Sequence, residues 1–133
     1  MPAGPVPPDV RRFIVEHIHS VAQLEVLLLL QRDPDVAWTA DEVGREMRYP
    51  AGWAATQLVD YCRERLVAEV PGEESRYRYA PSPRLAGAVE ALADLYPRRR
   101  TTVTRLIFSR GEDDVRLFSD AFRIRRPEEE EDE

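Results

Sequence analysis

The sequence predicts a mainly α-helical domain carrying one small β-hairpin. Apolar residues recur at helical spacing over most of the chain. Two capping-box spacings mark helix starts. A single pair of short alternating runs flanks the turn Pro71-Gly72-Glu73-Glu74-Ser75. With 133 residues and 43% hydrophobic content, the chain has the length and apolar supply of one compact domain.

The elements follow in order. Met1 to Pro8 contains four prolines and is expected to be extended or disordered, which starts the folded domain at residue 9. Asp9 is the expected N-cap of a first helix carrying Val10, Phe13, Ile14 and Ile18. Ser20 and Gln23 have capping-box spacing and open a helix whose leucines, Leu24, Leu27, Leu28 and Leu30, lie on nearly every side. Such a helix belongs at the centre of the domain. Thr39 and Glu42 form the second box, opening a short helix to about Met47 with Val43 and Met47 inward. After the turn Arg48-Tyr49-Pro50, a helix from about Ala51 to Glu64 places Ala54, Leu58 and Tyr61 on one face.

Leu66 to Val70 and Arg76 to Tyr79 are the two strands of the hairpin, so the segment from 39 to 80 holds the short helix, its successor and the hairpin. Ser82-Pro83 starts the C-terminal helices, about 82–122. Leu85, Val89, Leu92, Tyr96, Val103, Leu106 and Ile107 extend one apolar stripe, with a kink or break expected at Pro97. Gly111 should end it, and a last short helix carries Val115, Leu117, Phe118 and Phe122. The domain closes at residue 126, and 127–133 is an acidic tail expected to be disordered.

Charge sharpens the picture. The net charge is −6, and Glu128 to Glu133 supply six acids, so the body without that run is neutral. Residues 81–110 carry +4, concentrated at Arg98, Arg99 and Arg100, a cluster suited to phosphate or an acidic partner, or to a solvated face balanced by the tail. All 19 basic residues are arginine, which removes Schiff-base and phosphate-loop lysine chemistry. Cys62 is the single cysteine, so there is no intrachain disulfide. His17 and His19 point to different sides of a helix, poor geometry for a shared metal. No nucleophile–base spacing or glycine-rich phosphate loop is present, so neither an enzyme, a metal site nor a cofactor is expected. No apolar run approaches a membrane span and the N-terminus lacks a signal-peptide pattern; a cytoplasmic protein is the expectation.

The order helix, short helix, turn, helix, hairpin, long helix resembles a winged helix-turn-helix with additional N- and C-terminal helices. The segment from Thr39 through Val43, Met47 and Leu58 to Val67 is similar to the helix-turn-helix of MarR-type bacterial transcription regulators. The resemblance covers roughly Val21 to Tyr79. The family's pattern has glycine just before Leu66, where this chain has Arg65. The resemblance implies a dimeric regulator of duplex DNA, with the third helix of the motif in the major groove and the wing along the phosphates.

On these residues, Arg48, Thr56, Gln57, Arg63, Arg76 and Arg78 are the expected DNA contacts. The outward positions of the recognition helix are read as Gly52, Trp53, Ala55, Thr56, Val59 and Asp60, none of them basic. Glu73 and Glu74 put negative charge at the wing tip. Trp53, flanked by Gly52, Ala54 and Ala55, is either a protein-contact residue or part of the packing. A winged-helix protein-interaction module that does not bind DNA is therefore the alternative. The long stripe from Leu85 to Ile107 suggests a homodimer through the C-terminal helices, or packing back on Leu24 to Leu30 within one chain.

Overall fold

The computed structural model of the chain describes residues 6–109. The expected last helix with Phe118 and Phe122, and the acidic run from Glu128, lie outside the described residues, as do residues 1–5. The elements are α1 (Pro8–His17), α2 (Val21–Arg32), α3 (Ala40–Met47), α4 (Ala51–Arg63), β1 (Val67–Val70), β2 (Arg76–Tyr79) and α5 (Pro83–Arg98). A further helix, α6, occupies residues 100–109.

Helix starts follow local chemistry, with two corrections. Asp9 is not the N-cap of α1: Pro7 is, and Pro8 takes the first helical position. Proline loses nothing there, because that N–H has no helical acceptor. Asp9 instead lies in the first turn, near the positive end of the helix dipole. The segment just before is not loose either, since Val6 is buried in the core. At α2, Ser20 Oγ accepts the Gln23 N–H at 3.1 Å, but Gln23 Oε1 accepts from His19 N–H at 2.7 Å rather than from Ser20. Thr39 and Glu42 form the full reciprocal box at α3, at 3.1 and 3.0 Å.

Helix α2 is central, with Leu24, Val26, Leu27, Leu29 and Leu30 all buried. Burying each such side chain contributes about 1.5–3 kcal/mol. α1 packs on α5, α3 on α4, and α2 on β2. The hairpin pairs antiparallel with Val67 opposite Tyr79 and Val70 opposite Arg76. Trp38 adds a third-strand stub, exchanging backbone hydrogen bonds with Tyr77 at 2.8 and 2.7 Å.

The C-terminal stripe divides two residues beyond Pro97. Arg99 leaves helical geometry (φ −131°, ψ 48°) between α5 and α6. Leu85, Val89, Leu92, Tyr96, Val103 and Ile107 are all buried within a single chain. The length of the stripe therefore gives no argument for a second chain. Among the described residues no single helix is long and apolar enough to cross a membrane.

Candidate nucleic-acid interface

The site is built on α3, the turn and α4. Two helices approach closely here because Gly44 has no side chain: a Cβ would stand 2.8 Å from the Tyr49 carbonyl oxygen and 3.3 Å from the Ala51 Cα. Arg48 then turns the chain in the left-handed region, φ 64°, while the Tyr49 N–H reaches the Gly44 carbonyl at 2.9 Å. This satisfies a carbonyl that the end of α3 would otherwise leave open.

The opposite end of α4 is closed the same way. Arg65 takes φ 65°, and Leu66 N–H bonds the Tyr61 carbonyl at 3.0 Å. Arg65 stands where the related pattern has glycine, and the reason for that glycine is visible: the entry to the wing requires a left-handed residue. A non-glycine pays roughly 1–2 kcal/mol for it.

Helix α4 is held from beneath by a polar seam. Gln23 Nε2 donates to Gln57 Oε1 at 2.7 Å, Gln57 Nε2 donates to the Trp53 carbonyl at 3.4 Å, and the Tyr61 hydroxyl donates to the Gln23 carbonyl at 2.7 Å. Burial, then the nearby Glu64 and Asp60 carboxylates, push the Tyr61 phenol far up from its ordinary value. His17 Nδ1 meets Glu64 Oε1 at 2.5 Å, joining α1 to the last turn of α4. Among the described residues no group of three or more His, Cys, Asp and Glu is arranged to hold a metal.

The expected contact residues divide accordingly. Gln57 is corrected: it is buried, its amide is bonded to Gln23 and the Trp53 carbonyl, and it does not face outward. Trp53, expected either as a protein-contact residue or as part of the packing, is found in packing. It is half-buried, packs on the core, and lies against Tyr49 with ring centroids 4.3 Å apart. Arg76 bonds the Ala37 carbonyl at 3.2 Å and Glu42 at 3.3 Å, with Glu74 at 3.5 Å. It clamps the wing to the capping box of α3. Arg63 pairs with Asp60 at 3.0 Å.

Thr56 is exposed, and its hydroxyl donates to the Gly52 carbonyl at 3.1 Å. Arg48 and Arg78 are exposed, and their side chains bond no other described residue. Arg98 pairs with Asp94 at 2.7 Å and Arg100 lies over the Tyr96 ring at 4.7 Å. Arg99 is half-buried, with Thr102 at 3.4 Å.

Sequence reasoning missed Tyr49 as the partner of Trp53, Gln23 beneath Gln57, and Glu42 as the anchor of Arg76. The Tyr49–Trp53 spacing of four across a turn was a usable signal. The other two pairs lie 34 residues apart and leave no local trace.

A two-helix motif with a tight turn, followed by a hairpin that bridges back to the residue before the motif, is now complete. Among solved structures the chain is similar to MepR, described as a transcription regulator of the Staphylococcus aureus multidrug efflux pump MepA. The TM-score is 0.52 over 86% of this chain and 84% of that one, at 12% identity. A glycine-to-lysine variant of MepR gives 0.51 and 13% over the same shares. The fold is a winged helix-turn-helix. No protein-family model matches the chain, and no curated protein matches it in sequence. In this winged helix α3 and α4 form the helix-turn-helix, and β1–β2 with the Trp38 stub form the wing.

Proposed function

We propose that the chain is a cytoplasmic DNA-binding transcription regulator of the bacterial winged-helix class, with α4 entering the major groove and the hairpin following the phosphates. The observation that carries this reading is the presentation of α4. Gly44 and the Gln23–Gln57 seam hold it rigidly, and its outer stripe of Gly52, Thr56 and Val59 is open. Arg48 on the turn and Arg78 on the wing have guanidinium groups available for phosphates. Their planar fork suits phosphate oxygens. The fold shared with MepR supports the same reading by analogy. Salt-dependent binding of duplex DNA, weakened by Arg48→Ala with Arg78→Ala, is the test.

A homodimer through the C-terminal helices belongs to the proposal. Its support is Phe108, 63% exposed on α6.

A second reading, a winged-helix protein-interaction module, is favoured by one specific observation. The exposed stripe of α4 carries no basic residue before Arg63, while Glu73 and Glu74 occupy the wing tip and exposed Tyr49 lies against half-buried Trp53. On that reading no duplex binds at low salt.

A further inference from the structure

We infer that α4 recognises pyrimidine 5-methyl groups in the major groove, supplied in unmodified DNA by thymine. This rests on the DNA-binding reading above and names what that same helix face selects. Gly52, Thr56 and Val59 stand at i, i+4 and i+7 and share one outward stripe, with half-buried Ala55 beside it.

Every hydrogen-bond donor that could read a base edge from this stripe is committed within the chain, which leaves only acceptor oxygens on Thr56 and Asp60 beside the apolar groups. The Thr56 hydroxyl hydrogen is donated to the Gly52 carbonyl. Gln57, the only amide on α4, is buried and bonded to Gln23 and the Trp53 carbonyl. Asp60, whose carboxylate would suit the cytosine amino group, is paired with Arg63 at 3.0 Å. Beside the acceptor oxygen of Thr56, what the stripe offers is the Thr56 methyl, the Val59 isopropyl group, and a bare backbone at Gly52. A Cβ added at Gly52 would meet nothing of the chain within 4 Å, so a base pair can approach the helix closely there. On the major-groove edges of the four base pairs, the thymine methyl is the apolar group. An apolar stripe therefore discriminates by covering it.

The test uses the full chain and a random-sequence pool of unmodified duplex DNA, followed by resynthesis of the selected duplex with deoxyuridine in place of thymidine. Selected sequences should carry thymine at the contacted positions. Removing the methyls should weaken binding about fourfold for each one covered, equivalent to ~0.8 kcal/mol. Thr56→Ser keeps the hydroxyl and loses the methyl; with Val59→Ala, it should lower the thymine-to-uracil affinity ratio toward one. Both positions are exposed, and circular dichroism checks that the variants fold. Equal affinity for the thymine and uracil duplexes, with binding intact, overturns methyl readout and leaves DNA binding standing. Retention of no duplex at low salt removes both.

Discussion

Gln23 Nε2 donates to Gln57 Oε1 at 2.7 Å, linking the first turn of α2 to the middle of α4. Through this bond the central helix braces α4 and holds the orientation of its outer face. Cutting it leaves the oxygen of the buried Gln57 amide without its donor. Gln23→Ala should destabilise the chain by about 1–3 kcal/mol. A double-mutant cycle with Gln57→Ala, read by urea denaturation, should show a coupling of at least ~0.5 kcal/mol. Additive effects would contradict the seam.

Two glycines should respond in opposite directions. Gly44→Ala forces a Cβ to 2.8 Å from a backbone oxygen and should cost about 1–3 kcal/mol. Gly52→Ala meets open space on a helix and should stabilise by about 0.5–1 kcal/mol. On the proposed function the same Gly52→Ala weakens duplex binding, because it separates the helix from the base edges. Thermal denaturation and a binding titration on one preparation read both effects.

Arg65→Gly should raise stability by about 1 kcal/mol, since the residue already occupies the left-handed region at φ 65°. A loss of stability in denaturant titration would mean that the Arg65 side chain contributes more than its backbone costs.

Alkaline pH should unfold the chain through its tyrosines. Burial, then Glu90, push Tyr79 from its ordinary value of 10.0 up to about 12, and Tyr61 is raised further. The unfolded chain therefore releases these protons first. Stability is fully present below pH 10 and falls as the pH rises toward about 12. Phenolate absorbance and circular dichroism should change together in that window; ionisation of all the tyrosines with the helices intact would contradict it.

Much of the fold was legible because its signals are local. The Thr39–Glu42 box, Pro83 after Ser82, and the alternation from Arg76 to Tyr79 each act within a few residues. The candidate site was legible only as a location. Arg48 and Arg78 could be named, but periodicity alone put Trp53 outward and left Gln57 available. Their true settings depend on Tyr49 across the turn and on Gln23, which precedes Gln57 by 34 residues. Arg76 looked like a phosphate ligand because its bond to Glu42 exists only after the wing folds against α3.

The central claim is that this winged helix binds duplex DNA through the α4 face and the arginines beside it. The most direct test is a binding titration of the full chain against a selected duplex from ~50 to ~200 mM salt. Affinity should fall linearly with salt on logarithmic axes, and the Arg48→Ala/Arg78→Ala variant should have a slope shallower by about 2. Absence of binding at the lowest salt, or a slope that the double variant leaves unchanged, would contradict it.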